Sequence, residues 1–413
     1  MNSSGYLTAK EAAAELGITL STLYSYVSRG LIRSEIADGS KRTHRYRRED
    51  VESLKVRQEQ RLNPAKAVED ALHWGTPVME SSITLIVDNR LYYRGLDVIE
   101  LAQTQPVEVV AALIWAGDLS AAVAGLAEPV GEPFSPLVQA IALQVYDLPP
   151  IEKFQILLPL VGVDDLAAYD LRPDAVAQTG ARILHLLVTL AVNGVSPQKN
   201  MAVQLQQRWA ADDPNAAALI NAALILCADH ELNVSSFTAH CVASAGATPY
   251  QAVIAGLAAL QGVKHGRSTE RVEAFLNEAQ AAGQVEAAVA ARLKRGESIP
   301  GFGHPLYPAG DPRGRYLLDL LTAHYSHTSA VKLADQVNAA VLGFIGERPN
   351  VDFGLTVLAR ALNLPPGSPI ALFALGRTIG WIGHIIEQYQ LDRIIRPRAR
   401  YVGEQPKRIE NEE

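Results

Sequence analysis

From residue 62 onward, apolar positions recur at helical spacing in one segment after another. Val107 to Ala116, Pro136 to Tyr146, Ala175 to Ala191, Ala216 to Ala228 and Leu333 to Phe344 each predict a helix with a wide apolar face. Alternation is rare. Ile83-Thr84-Leu85-Ile86-Val87 and Leu91-Tyr92-Tyr93-Arg94-Gly95, joined by Asp88-Asn89, predict one small hairpin. The pattern holds no repeating unit and no low-complexity segment, which argues against a solenoid. Arg182, His185 and Asn193 interrupt the longest apolar stretch before it reaches the roughly 18 residues of a membrane span. The expected body is all-α, packed helix on helix.

The first 61 residues have another pattern. Thr8 and Glu11 form a capping-box pair ahead of an Ala-rich run that stops at Gly17. A second helix is predicted from near Ser21 to Gly30, with Leu23, Tyr26 and Val27 on one side. Two extended runs follow, Ile32 to Ile36 and Lys41 to Arg48, joined by the turn pair Asp38-Gly39. Glu49 to Arg61 predicts one more charged helix, and Asn63-Pro64 and Gly75-Thr76-Pro77 mark breaks.

Composition narrows the class. The 413 residues are 48% hydrophobic, 20% charged and 6% aromatic, which excludes a disordered chain, a collagen and a disulfide scaffold. Two cysteines, Cys227 and Cys241, cannot form a framework and fit a reducing compartment. Met1 to Tyr6 has neither the basic nor the apolar region of a signal peptide, so a cytoplasmic protein without membrane association is expected. Charge is uneven. Residues 1–61 hold eleven Lys+Arg against eight Asp+Glu, whereas the whole chain carries −7. A basic head on an acidic body suggests two tasks, one of them directed at nucleic acid.

Helix-turn-helix followed by a basic hairpin resembles the winged domain of the MerR and excisionase families. The resemblance implies a recognition helix from Ser21 to Arg29, with Thr22, Tyr24 and Ser25 toward double-stranded DNA, and a wing whose Arg45 and Arg47 hold phosphates. Arg29 is the only strong base reader in that helix. A protein-interaction module with a solvated basic hairpin has the same pattern.

Four segments place titratable groups among apolar helices: Cys227 to Asn233, Gly262 to Thr269, the Gly- and Pro-rich loop Glu297 to Arg313, and Asn350 to Gly354. Singly, Asp352 reads as a helix cap and His265 or His304 as a satisfied core histidine. His230, flanked by Asp229 and Glu231, lacks a companion at metal-ligand spacing, so no metal is expected there.

Together the segments resemble the citrate synthase family from about residue 81 to 403. The matching pieces are Ala228-Asp229-His230-Glu231 with Asn233 and Ser236 to Ala239; His265-Gly266; Pro300 to His304 with Asp311-Pro312-Arg313; Val351-Asp352-Phe353; Gly376 to His384; and Arg396-Pro397-Arg398 with Tyr401 to Gly403. The resemblance implies large and small helical domains, 77–250 with 363–413 and 251–362, behind a head at 1–61 and a linker at 62–76. It implies condensation of acetyl-CoA with oxaloacetate to citrate, with no cofactor beyond acetyl-CoA as co-substrate. A propionyl-CoA enzyme making 2-methylcitrate, and a DNA-binding regulator whose body senses a metabolite, are the other readings.

By match, Asp352 is the base, His265 stabilises the enol and His304 polarises the ketone. His230, Arg313, Arg377 and Arg396 match substrate-binding positions, and Pro300, Gly301, Phe302 and Gly303 match a CoA-binding segment. In the family Arg396 comes from the neighbouring subunit, which implies at least a homodimer. Departures cluster on the thioester side. Gly266-Arg267-Ser268-Thr269 replaces the usual Gly-Gly-Ala-Asn, and Pro305-Leu306-Tyr307-Pro308 replaces Arg-Val-Tyr-Lys. Cys227 takes the place of the first histidine in the family's usual His-x-x-His pair.

Overall fold

The structure, a computed structural model, describes residues 6–36, 44–48, 50–51, 54–55, 79–121, 123, 125–126, 135–194, 200–399 and 401–405. The chain divides into two compact units, Met1–Glu80 and Ser81–Glu413. The expected linker 62–76, the turn Asp38-Gly39 and most of the helix expected from Glu49 to Arg61 lie outside the described residues.

In the first unit, helix Ala9–Leu16 opens with the Thr8–Glu11 capping box and closes on Gly17 at φ 63°. The second helix, Leu20–Ser28, begins one residue before the expected position because the Thr19 hydroxyl accepts the Thr22 N–H. Strands Ser34–Ile36 and His44–Arg47 pair antiparallel, as the two extended runs predict. A third strand, Tyr6–Thr8, pairs on the other side of His44–Arg47. Three residues are too few to show alternation, so that strand left no pattern to find. Leu7 and Tyr46, partners in this sheet, pack with Ala12, Leu16, Leu23 and Ile32 in a small core of their own.

The second unit opens with the expected hairpin, Thr84–Val87 against Arg90–Tyr93. Asp88 and Asn89 both take positive φ, 51° and 59°, as a two-residue turn of this twist requires. A short third strand, Leu96–Asp97, leads into helix Val98–Thr104, which Asp97 caps. Everything described after that is helical or irregular.

Among the described residues, two helices are long and apolar enough to cross a membrane, Pro173–Val192 and Ser368–Leu391. Both are core helices here, with 78% and 94% of their most apolar windows buried. The polar residues of the first are satisfied internally. Arg182 pairs with Asp165, and Asn193 accepts from Lys153. Helix Ser368–Leu391 is the axis of the body, and its glycines set how closely its neighbours approach. A Cβ on Gly376 would lie 2.5 Å from the Leu224 carbonyl, and one on Gly380 2.3 Å from that of Ala228. This contact presses the end of helix Ala216–Cys227 against Arg377.

Candidate active site

Six of the seven residues expected in the catalytic and substrate sets converge. Five of them come from loops, turns and helix starts, where backbone groups are free to be aimed, and the sixth, Arg377, comes from within a helix. His230 lies in the bend after helix Ala216–Cys227, just before Glu231 at φ 52°. His265 lies in the turn between helices Pro249–Leu260 and Ser268–Ala282. His304 is in the loop before helix Pro312–Tyr325, and Arg313 is in that helix's first turn. Asp352 occupies the first turn of helix Val351–Ala361, whose cap Asn350 accepts the N–H groups of Asp352 and Phe353. Arg377 projects from the middle of the axial helix.

Tyr307 ties the histidines together. Its hydroxyl is 2.9 Å from His230 Nε2, the His230 and His304 rings meet edge to face at 5.0 Å, and the Arg313 guanidinium lies 5.5 Å from the Tyr307 ring. Tyr307 stands in Pro305-Leu306-Tyr307-Pro308, a loop that departs from the family pattern, and nothing in the sequence sets it apart. Arg313 is held by a bidentate pair with buried Asp311, at 3.0 and 2.9 Å, and Asp311 also accepts the Val351 N–H. One carboxylate thus fixes an arginine and the helix start that carries Asp352.

Arg377 is held differently. Its Nε donates to the Cys227 carbonyl at 2.9 Å, and its guanidinium stacks over Phe373 at 4.7 Å. No carboxylate among the described residues forms an ion pair with it, so its remaining donors suit an anionic ligand. Burial lowers its pKa. For Arg313, burial pulls the same way, but the Asp311 carboxylate outweighs it and the pKa rises.

The histidines are neutral donors. Burial, reinforced by Arg377, holds His265 down to about 4, and burial with Arg313 does the same to His304. His230 falls well below the ordinary range, chiefly through burial. The Leu306 N–H donates to His304 Nδ1 at 3.2 Å, which leaves that ring's proton on Nε2. His265 Nε2 is 2.8 Å from the Ser235 hydroxyl, which in turn accepts from the Trp381 indole N–H at 3.2 Å. When Ser235 donates to Nε2, the His265 proton lies on Nδ1. Ser235 and Trp381 are positioning residues that the sequence did not single out.

Asp352 is the counterpart. Burial pushes its carboxyl up to about 6, against the opposing pull of Arg313 and a hydrogen bond with Ser268. A carboxylate with that pKa, facing neutral imidazole donors and two guanidinium groups, can remove a weakly acidic proton while the donors stabilise oxygen charge.

The remaining expected residues fall elsewhere. Arg396 is exposed in the irregular segment after the axial helix, and no hydrogen bond joins it to the cluster among the described residues. Pro300, Gly301 and Phe302 are buried, and Gly303 partly so. They brace Asp352: Phe302 packs on Phe353 at 4.9 Å, and the Asn350 N–H donates to the Gly301 carbonyl. Arg267, the bulky departure near His265, is turned to Gln261 at 3.1 Å and to the carboxylates of Glu270 and Glu152. Burial pushes the Cys227 thiol up to about 12, so it is not a nucleophile.

In the first unit, Tyr24 is 53% exposed on the second helix. Thr22 and Ser25 are half-buried, with Thr22 bound to its cap Thr19. Arg45 and Arg47 both face Glu35, at 3.7 and 3.4 Å, and Arg45 also covers the Tyr6 ring. The wing's charge is therefore partly balanced within the unit.

Two family models match the chain: citrate synthase, C-terminal domain, over residues 71–398, and a helix-turn-helix domain over residues 6–58. The chain is 28% identical to Bacillus subtilis citrate synthase 2, over 80% of this chain and 94% of that one. It is 29% identical to citrate synthase of Haloferax volcanii, with the same coverage. Among solved structures, Thermotoga maritima citrate synthase superposes with a TM-score of 0.69 at 27% identity, covering 81% of this chain and 96% of that one. The Thermoplasma acidophilum enzyme, in a ternary complex with carboxymethyl coenzyme A and oxaloacetate, shares the fold at a TM-score of 0.69 and 22% identity, covering 83% and 97%. With its catalytic-type carboxylate and histidines gathered in this fold behind a helix-turn-helix domain, the chain belongs to the citrate synthase family, whose members are enzymes that transfer acyl groups.

Proposed function

We propose that this protein condenses acetyl-CoA with oxaloacetate to give citrate and CoA. The observation that carries the reading is the placement of Asp352 in the first turn of helix Val351–Ala361, gathered with His230, His265, His304, Arg313 and Arg377, where burial pushes its carboxyl up. Asp352 takes a methyl proton from the thioester, and His265 donates a hydrogen bond to the oxygen that becomes the enol. The enol carbon attacks the ketone of oxaloacetate while His304 Nε2–H donates to its oxygen. Water then cleaves the thioester of the condensed product, releasing citrate and the CoA thiol. Arg377 and Arg313 hold the two carboxylates of oxaloacetate, with His230 beside them. Arg396, exposed in one chain, completes the site from a second subunit in a cytoplasmic homodimer.

Thiol release from acetyl-CoA, with and without oxaloacetate, tests the reaction. The expected result is release that depends on oxaloacetate. Propionyl-CoA runs in parallel, because one methylene changes discrimination by only about 1–3 kcal/mol, and faster release from it would make the product 2-methylcitrate. Absence of release from either donor would overturn the reading.

The helix-turn-helix unit supports a second role, binding of double-stranded DNA through the helix that exposes Tyr24 and the strand that carries Arg45 and Arg47. Because Glu35 competes for both arginines, binding should be weak and steeply dependent on salt. A gel-shift with genomic fragments at two salt concentrations should show retardation at the lower one. No retardation there would leave the unit as a protein-contact module.

A further inference from the structure

The hairpin that opens the second unit touches both of the segments that carry His230, His304 and Arg313. At its open end Thr84 and Tyr93 are cross-strand partners, and both hold Asp229, the residue before His230. The Thr84 hydroxyl donates to Asp229 Oδ2, and the Asp229 N–H donates to the Tyr93 hydroxyl at 3.0 Å. At the turn end, the Asn89 side chain meets the backbone of the loop between His304 and Arg313. Its Oδ1 accepts the Ala309 N–H at 3.1 Å, and its Nδ2 donates to the Gly310 carbonyl at 2.8 Å. An N–H on one side and a carbonyl on the other leave the amide a single orientation.

Among the described residues, Asn89 is the only group outside the loop that hydrogen-bonds the backbone of residues 305–310. From that point hydrogen bonds run to the site in series. The Gly310 N–H donates to the Tyr307 carbonyl at 2.9 Å, and the Tyr307 N–H to the His304 carbonyl at 3.0 Å. In the other direction Gly310 leads straight into Asp311, whose carboxylate holds Arg313. Gly310 sits at φ 103°, and glycine is the most permissive residue, so the loop has little stiffness of its own there. The stiffness comes from the paired strands behind Asn89.

We propose that Asn89 is a positioning residue for the dicarboxylate substrate: it seats the loop of His304 and Arg313 on the same hairpin that holds the His230 bend. The assignment of that substrate rests on the function proposed above. The hairpin then sets the spacing between a histidine from one segment and a histidine and an arginine from another. Without the Asn89 amide, the Asp311–Arg313 pair stays intact but the loop that carries it can shift. A displacement of about 1 Å is enough to matter for groups that must meet one ligand together.

The turn supplies its own control. Asp88 has nearly the same φ as Asn89, but it is exposed and makes no hydrogen bond to the loop among the described residues. Glycine suits both positions, so Asn89→Gly and Asp88→Gly each keep the turn while only the first removes the amide. In the full-length protein, Asn89→Gly should raise the KM for oxaloacetate about tenfold, the scale of a lost hydrogen bond, and change the KM for acetyl-CoA much less. It should also speed deuterium uptake by the backbone amides of residues 306–311. Asp88→Gly should match the unmutated protein in both respects. Asn89→Asp keeps the acceptor for Ala309 but turns an oxygen toward the Gly310 carbonyl; it should shift both readouts the same way, and it serves if the glycine variant does not fold. An unchanged oxaloacetate KM, unchanged uptake, or equal changes in Asp88→Gly would overturn the role of Asn89. Absence of thiol release from the unmutated protein would instead sink the reaction, and the exchange comparison, which needs no turnover, would still decide whether Asn89 seats the loop.

Discussion

Asp352→Asn is expected to lower kcat by about 10²–10⁴-fold, the range ascribed to a positioned general base, while oxaloacetate still raises the melting temperature of the variant. An amide cannot accept the methyl proton, yet it matches the carboxylate in size and leaves the Asn350 cap and the Asp311–Arg313 pair in place. The pH profile gives an independent check with a defined sign. Asp352 works ionised, and burial raises its pKa to about 6. The rate should therefore fall as pH drops through about 6, whereas an unshifted carboxylate would keep activity two units lower. Substantial turnover in Asp352→Asn, or a rate that is flat from neutral pH to well below 6, would mean that another group is the base.

His265→Ala should lower kcat by about 10²–10³-fold, the usual cost of removing one donor from an oxyanion site. The loss should appear in kcat more than in the KM for oxaloacetate, because the dicarboxylate is assigned to Arg313 and Arg377. Ser235 supplies the finer test. Its hydroxyl is within 2.8 Å of His265 Nε2 and 2.7 Å of Asn233 Oδ1, so one proton has two acceptors. When that proton goes to Nε2, Ser235 holds the His265 proton on Nδ1, and Ser235→Ala should then reduce kcat while leaving oxaloacetate binding intact. If His265→Ala raises the KM for oxaloacetate and spares kcat, His265 belongs to the dicarboxylate site and the assignment falls.

Much of the fold was legible because its signals are local. Helix Val107–Ala116 has the bounds that its apolar spacing predicts, and the Asp88-Asn89 turn needs only two residues that tolerate positive φ. The Thr8–Glu11 box and Gly17 likewise announce the two ends of one helix. Strands Tyr6–Thr8 and Leu96–Asp97 were missed because each is shorter than a readable alternation and exists through its partner.

The site was legible in a different way. Asp352, His265, His304 and Arg313 stood out through a family resemblance, since each one alone has an ordinary structural reading. Nothing in the sequence ranks Asp311 above any other helix cap, though it fixes both Arg313 and Val351. Tyr307, Ser235 and Trp381 gave no separate signal, because a hydroxyl or an indole N–H becomes specific only through what it meets.

Periodicity, charge and motifs read along the chain suffice for the helical class of the body, the separate basic head and the residue types able to do acyl chemistry. Which groups meet is set by the packing of the helices. Among the described residues it gave Arg377 a backbone carbonyl and no carboxylate ion pair, set Glu35 against the wing arginines, and joined Asp229 to His384 across 155 positions of chain. The physical reason is that pKa, proton position and ion pairing depend on distance and burial. Those quantities are fixed where helices cross, and the spacing of residues along a chain does not encode them.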